Sequence, residues 1–290
     1  MCRFAARLSV FFLLAAVIGV LAPNSWGQVA SGKVEDKLSE QSQAASERKK
    51  KLITQELHTL KDHPWAGDYY YGDGLGVNVR LSLAPKSGFV FTWNGCLGLY
   101  DLNYGDVVEM DGKIKLIFKY PNERKGFQGI PPELIPIVWG KRHYLIPADA
   151  VVGFANAINA GFEPGRTVGS DFLLRDRDER KAVSGQPNIP VQYSGYILKA
   201  PIKAEISAIK GSRLEDSARI TTVMLNVGSE QGVKEGMKFY VYSPAAIFES
   251  AQITTVESSN SEARIVQDLA DEKRGRPSTD WKLSTSSGRD

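Results

Sequence analysis

The chain has 290 residues, of which 42% are hydrophobic and 24% charged, a composition typical of a folded protein with room for two modest domains. The net charge of +3 includes Arg3 and Arg7 of a predicted leader, which leaves +1 for the mature chain. A balance so close to neutral gives no electrostatic footprint for nucleic acid, so we predict no nucleic-acid partner.

Residues 1–27 have the pattern of a secretory signal peptide. A positive region precedes an apolar core over 8–22, and small residues then favour cleavage after Gly27. The apolar run is shorter than the roughly 20 residues that cross a bilayer, which makes an uncleaved anchor the weaker alternative. We therefore predict a periplasmic or secreted protein with no stable transmembrane segment after cleavage.

Residues 28–63 are polar and contain one predicted amphipathic helix, from Ala45 to Lys61. Its apolar residues stand at helical spacing: Leu52, Ile53, Leu57 and Leu60. The basic run 48–51 is typical of a solvated helix face, and Pro64 predicts that the helix stops before the next element.

Residues 64–165 predict a meander of short antiparallel strands. Apolar and polar residues alternate over 77–83 and 89–93, which is the period of a strand with one buried face. Further β-forming runs occupy 107–110, 114–118, 134–139 and 144–146, and a helix is predicted over 148–160. Because an open sheet of this kind exposes its edges, the sequence predicts a small closed barrel with a terminal helix.

The segment Trp65-x-Gly67-x-Tyr69, before the first long strand, resembles the start of lipocalin-like and related small envelope barrels. The resemblance covers about the first third of the mature chain and implies a closed antiparallel barrel. A barrel of this kind can hold a small apolar ligand.

A group of aromatic rings beside short carboxylates and amides is the candidate binding site of this barrel. We assign ligand binding to Tyr69, Tyr71, Asp73, Trp93, Asn94, Tyr100, Asp101 and Asn103. Such side chains can line a barrel mouth or stack on a sugar, although they also suit the core and turns of a small barrel.

Asp101, Asn103 and Asp106 have part of the spacing of a calcium loop. Gly105 stands where a third oxygen ligand belongs, and the distal glutamate of such a loop is missing. We therefore interpret the segment as a turn.

Residues 166–200 are charged and rich in turn-forming residues, and we place the linker between two domains there. Residues 201–285 predict a second small β-barrel domain, and 286–290 a tail. The β-forming runs of this domain are 220–227, 239–242, 253–256, 263–266 and 281–283.

A glycine-rich loop joins the first two of these runs. Its defining positions are Gly228, Ser229, Gly232, Val233, Gly236 and Met237. The loop resembles that of the small β-barrels in the C-terminal domain of flagellar assembly protein T and in the MreC-type envelope proteins. The resemblance covers about the last third of the chain and implies a structural role for the loop.

The sequence contains no strong catalytic or metal-binding signature. The three histidines, His58, His63 and His143, lack the spacing of a zinc site, and no Gly-x-Ser-x-Gly elbow is present. We predict no cofactor, and we interpret each histidine as a surface or hydrogen-bonded structural residue. Cys96 is the one cysteine of the mature chain, and its apolar strand context predicts a buried structural thiol, with a catalytic cysteine as the alternative.

Together these patterns predict a mainly β protein with two small antiparallel barrel-like domains, an N-terminal helix and one helix after the first barrel. The leading hypothesis for function is a non-catalytic binding or scaffolding protein of the bacterial cell envelope, with an envelope protein or a glycan as partner. The second is a carrier of a small apolar ligand in the first barrel. The third is an envelope hydrolase using Asp73, Asp101 or His143, which lie in separate segments.

Overall fold

The computed structural model of the protein describes residues 40–72, 74, 76–96, 98–119, 129–164, 172–245, 247–269 and 275–288. These residues form two closed antiparallel β-barrels with few helices, which confirms the predicted fold class. The described residues divide into two compact units, one that contains 40–151 and 164–190 and one that contains 152–163 and 191–288. The predicted leader lies outside the described residues.

The first barrel has eight strands in sequential order. They are β1 (Gly67–Gly72), β2 (Val77–Ala84), β3 (Gly88–Gly95), β4 (Gly98–Met110), β5 (Lys113–Phe118), β6 (Glu133–Trp139), β7 (Arg142–Ile146) and β8 (Leu173–Arg175). Strand β8 pairs with β7 on one side and with β1 on the other, where Tyr69 faces Arg175. This pairing closes the barrel and removes its open edges.

Alternation along β1 to β4 divides these strands into an inner and an outer face. On the inner face the buried side chains of Leu81, Phe89 and Phe91 belong to one apolar cluster with Leu116 and Leu134 of later strands. These side chains fill the barrel interior, as is usual for a barrel of eight strands.

Helix α1 (Glu40–Thr59) packs against the outer face of β2, β3 and β4. Ile53 is fully buried there with Ala84, Val90 and Leu102. The carboxylate of Glu56 accepts hydrogen bonds from backbone N–H groups of the β2–β3 turn, including that of Ser87 at 2.7 Å. The predicted N-terminal helix therefore exists and is fixed to the barrel by both apolar and polar contacts.

Part of the predicted solvated basic run of α1 instead makes ion pairs with the barrel. The Lys49 ammonium lies 3.2 Å from a carboxylate oxygen of Asp106, and Lys50 lies 2.6 Å from Asp68. Both lysines stand on the helix one turn from Ile53, so the charged contacts flank the apolar one.

The second barrel has six strands in the spatial order β10-β13-β12-β11-β14-β9. They are β9 (Lys203–Glu215), β10 (Ala218–Leu225), β11 (Lys238–Ser243), β12 (Ser250–Val256), β13 (Ser261–Asp268) and β14 (Lys282–Ser284). Buried side chains such as Phe239, Val223, Ile265 and Leu283 form its apolar interior. The predicted β-forming runs of this region all contribute strands.

The glycine-rich loop has the structural role that its resemblance implied. It contains a short 3-10 helix, Ser229–Gln231, after which Gly232 adopts a positive φ of 85°. Val233 and Met237 are buried in the apolar interior of the second barrel. The loop thus returns the chain from β10 to β11 while it closes that part of the core.

Helix α2 (Val151–Asn159) follows the first barrel, as predicted, but from residue 152 it belongs to the compact unit of the second barrel. Asn156 donates to the carbonyl of Gly236 at 2.9 Å and accepts from the N–H of Lys238 at 3.1 Å. Asn159 makes the same pair of bonds to Tyr196 and Leu198. Two amide side chains therefore hold this helix to backbone groups of its own unit.

Two segments have structure that the sequence patterns did not indicate. Strand β8 lies within 166–200, where the sequence predicted a linker, and the first barrel is closed by it. Ser287 falls in the predicted tail, yet it is buried and its hydroxyl donates to the carbonyl of Ala160 at 2.7 Å. Both β8 and Ser287 contact residues that are far away in the chain.

Within the described residues, no helix combines the length and the apolar composition that a membrane span requires.

Candidate functional site

Five of the eight predicted site residues face the interior of the first barrel. Neighbouring strands place their Cα atoms in two rows, one of which runs Tyr71, Val79, Trp93, Asp101. The adjacent row runs Tyr69, Leu81, Phe91, Asn103. The structure therefore brings Tyr69, Tyr71, Trp93, Asp101 and Asn103 together on one face.

Tyr69 is part of the core of this barrel and is almost fully buried. Its hydroxyl donates to the carbonyl of Trp65 at 2.9 Å, and the guanidinium of Arg175 lies over its ring. Burial raises the pKa of Tyr69 to about 12, although the nearby Arg175 opposes that shift. The phenol therefore stays protonated at neutral pH and serves as a structural donor.

Trp93 and Tyr100 form the more accessible part of the predicted site. Their rings meet edge to face, with centroids 5.8 Å apart, and each ring is half-buried. The register shifts between Trp93 and Asn94, which makes Tyr100 the extra residue of a β-bulge. A Cβ atom at Gly95 would overlap the Tyr100 ring, so glycine at that position permits the contact.

Asp101 and Asn103 lie in a continuous strand and not in a turn, which corrects the interpretation of this segment. Both side chains are buried on the inner face of β4. Asp106 belongs to the outer face, where its carboxylate pairs with Lys49 and Lys119, and these partners lower its pKa. Because Asp101 and Asp106 lie on opposite faces of the sheet, they do not share a calcium site.

The two remaining predicted site residues are placed differently. Asn94 faces Asn78 of β2 on the outer side of the sheet, away from the inner row that contains Trp93. Asp73 lies outside the described residues. The predicted group is thus an inner set of five residues, one bulge residue and one outer residue, with Asp73 undescribed.

A groove on the outside of this barrel contains a different set of polar groups. It has a volume of about 400 Å³ and is bordered by α1 and by strands β2 and β3. Lys50, Lys51 and Arg80 contribute cations to it, and Glu47 a carboxylate. Lys50 already contacts Asp68 and Ser82, and Arg80 lies over the ring of Tyr70. Two of the three cations of the groove therefore already have partners within the protein.

A buried carboxylate pairs with His143, one of the residues of the hydrolase hypothesis. Asp178 has no exposed surface, and its Oδ2 accepts from the backbone N–H of His143 at 2.9 Å. The Nδ1 atom of His143 lies 2.6 Å from the same oxygen, and the Lys181 ammonium lies 2.6 Å from Oδ1. Burial opposes ionisation, but these partners hold the pKa of Asp178 below its usual value. The carboxylate is ionised at neutral pH, so Nδ1 carries the proton.

The sequence did not point to Asp178, because it stands in the charged run that was interpreted as linker. His63 and His143 both make structural hydrogen bonds, as predicted; Nδ1 of His63 accepts from the N–H of Ala66 at 3.1 Å. Burial lowers the pKa of His63, which suits this acceptor role. Among the described residues, no group of three or more His, Cys, Asp and Glu side chains could hold a metal ion.

The prediction of a buried thiol at Cys96 is wrong. Strand β3 ends at Gly95 and β4 begins at Gly98, so Cys96 stands in the turn between them and is exposed. The apolar pattern of the preceding strand does not extend into this turn.

None of the three comparisons with known proteins gives a match: no family model, no curated protein and no solved structure is similar to this chain. The two closed barrels are established by the structure, whereas the likeness to lipocalin-like and MreC-type proteins stays a prediction.

Proposed function

We propose that this protein is a non-catalytic binding or scaffolding protein of the bacterial cell envelope, acting through its outer surfaces. The observation that carries the proposal is that side chains fill the inner face of each barrel. Because these described inner side chains pack against one another, we assign recognition to exposed strands, turns and loops. The envelope location rests on the signal-peptide pattern of residues 1–27.

The carrier alternative requires space inside the first barrel, where the described side chains of the inner rows are packed together. Phe89, Phe91, Leu81 and Leu83 are fully buried against one another and against Leu134 of β6. Of the predicted binding residues, Tyr69 and Tyr71 belong to this same packed cluster. These contacts favour the second interpretation of the aromatic group, as core and turn residues of a small barrel.

Native mass spectrometry of the mature protein, purified from a periplasmic fraction without detergent, tests the proposal. We expect either the mass of the polypeptide alone or a complex with another envelope protein. A bound small molecule that is lost in Trp93→Ala and Tyr100→Ala, but kept in Phe248→Ala, would overturn the proposal in favour of the carrier. Phe248 is the matched control because its ring is exposed on the second barrel.

A second outcome would also contradict the proposal. Turnover of an envelope substrate that a single point change abolishes, such as His143→Ala, would show an enzyme. The test needs a variant that stays folded, so far-ultraviolet circular dichroism accompanies each assay.

A further inference from the structure

Strand β9 leaves most of one edge unpaired. Its first three residues pair with β14, and Ile206 then donates its N–H to the carbonyl of Trp281. From residue 207 to 215 the strand pairs with β10 only, and the described part of the chain places no strand on its other side. Over these nine residues, about 30 Å of extended backbone, the N–H and C=O groups of alternate residues point away from β10 and have no strand partner in the described part of the chain.

Two large apolar side chains along this edge are exposed. Ile209 is 45% exposed and Leu214 is 66% exposed. Gly211 lies between them, and a Cβ atom there would meet nothing within 4 Å, so the centre of the edge is open to a close approach. An edge of this length with exposed apolar side chains is the type of surface that accepts an added strand.

The charged side chains of this edge indicate which charge an added strand should carry. Arg213 is paired with Glu215, whose carboxylate lies 2.6 Å from its guanidinium. Lys210 is exposed and forms the extra residue of a β-bulge opposite Thr222 and Val223. Lys210 is therefore the cation that an incoming carboxylate would meet.

We propose that residues 207–215 of β9 bind an extended, acidic segment of a partner protein by strand addition. The inference rests on the proposed function and deepens it by naming the surface and the kind of partner. Backbone hydrogen bonds to the edge would supply affinity, while apolar side chains near Ile209 and Leu214 and a carboxylate near Lys210 would supply specificity.

A second copy of the chain fits this edge less well. Antiparallel pairing of 207–215 with itself would place a two-fold axis near Gly211, and Lys210 of both copies would then lie close together. Like charges at such positions are destabilising.

The test uses the mature chain and two synthetic nonapeptides. One alternates valine with glutamate and the other alternates valine with lysine. Amide hydrogen exchange over 207–215 should slow in the presence of the acidic peptide and stay unchanged with the basic one. The amides of this stretch that point away from β10 report the added strand directly.

Matched variants distinguish peptide binding at the β9 edge from general effects of an added negative charge. Lys210→Glu and Leu214→Glu should weaken binding of the acidic peptide by about tenfold or more, since each places like charge against it. Val266→Glu is the control, because Val266 is exposed on β13, a strand paired on both sides. It should bind as the wild type does.

Three results would overturn the inference. One is unchanged exchange at about 1 mM acidic peptide, where weak strand addition would still be detected. The second is equal binding of the basic peptide. The third is a dimer in sedimentation experiments that Leu214→Glu dissociates, which would make a second copy the occupant. If the peptide test fails while native mass spectrometry shows a partner protein, the scaffold proposal stands and only its surface is wrong. A small-molecule adduct sensitive to Trp93→Ala would defeat the proposed function instead, whatever β9 binds.

Discussion

Asp178 is a buried carboxylate in the segment that the sequence predicted to be a linker, and it contributes to the stability of the first unit. Its carboxylate satisfies the backbone N–H and the ring of His143 and lies beside Lys181, with no exposed surface of its own. A group in this position is costly to replace, because its partners would lose their acceptor inside the protein.

We expect Asp178→Asn to lower the free energy of unfolding by about 2–3 kcal/mol at pH 7, since a buried ion pair loses one partner. Urea denaturation measures the change. Asp176→Asn, in the same short helical turn, is the control; the Asp176 carboxylate lies 3.7 Å from Arg80 and is partly exposed. Its replacement should cost less than about 1 kcal/mol. Equal effects of the two variants would contradict the assignment.

The difference in stability between the wild type and Asp178→Asn should depend on pH, and the sign of this dependence follows from the pKa of Asp178. The pKa of Asp178 is lower in the folded state than in the unfolded state. Its contribution is therefore complete above the unfolded pKa, about 3.9, and is lost as the pH falls through the folded-state pKa. The stability gap between wild type and Asp178→Asn should accordingly be full at neutral pH and shrink in acid. A gap that widens on acidification would refute this linkage.

At this scale the sequence predicted some residues and could not predict others. Alternation over 89–93 placed Trp93 on the same side of its strand as Phe89 and Phe91, and Trp93 lies on the inner face. The burial of Asp178 depends on pairing with His143, which is 35 residues away, and no local pattern encodes such a contact. Cys96 was misplaced because the apolar pattern does not show where β3 ends.

At the scale of elements, α1 shows what one buried side chain contributes to the packing of a helix on a barrel. Ile53 is fully buried against the outer face of the first barrel, whereas its neighbour Leu52 is 55% exposed. Alanine variants at these two positions therefore distinguish the contribution of packing from that of helix propensity.

Ile53→Ala should destabilise the first unit by about 2–5 kcal/mol, through lost burial and the cavity left behind. Leu52→Ala should change stability by no more than about 0.5 kcal/mol. Thermal unfolding followed by circular dichroism provides the comparison. Similar losses in both variants would show that α1 contributes through helix formation and not through packing at Ile53.

Helix α2 permits a test that uses two equivalent side chains as controls for each other. Asn156 accepts from the N–H of Lys238, and Asn159 accepts from the N–H of Leu198. Asn156→Ala should speed hydrogen exchange at the Lys238 amide and leave the Leu198 amide unchanged, because a buried donor loses its acceptor. Asn159→Ala should do the reverse. Loss of protection at both amides in either variant would mean that the helix detaches as a whole.

The elements with local periodicity were predictable, and those defined by distant pairing were not. Strands β2, β3, β5 and β6 carry alternating or continuous apolar runs, so their existence follows from the sequence. Strand β8 has three residues and depends on Tyr69 and Tyr144 as pairing partners, which lie far away in the chain. The unpaired edge of β9 could not be predicted either, because the sequence does not show which strand lacks a neighbour.

On the scale of the whole molecule, the two barrels share one property that bears on function. In the described residues of each barrel, apolar side chains pack together in the interior. The polar residues Asp101 and Asn103 are buried on the inner face of the first barrel. The proposed scaffold role follows from this property, and creating a void should therefore create ligand binding that the wild type lacks.

Phe91→Ala tests this directly. Removal of the fully buried ring should cost about 3–5 kcal/mol and leave an apolar cavity in the first barrel. An apolar cavity of this kind binds small hydrocarbons, and a ligand that binds only the folded state raises Tm. Benzene should then raise the Tm of Phe91→Ala, but not that of the wild type or of Phe248→Ala, whose ring is 64% exposed. Leu81→Ala supplies a second, smaller cavity in the same row. If benzene stabilises the wild type as strongly as these variants, the barrel already contains a usable void, and the carrier function would replace the scaffold as the leading proposal.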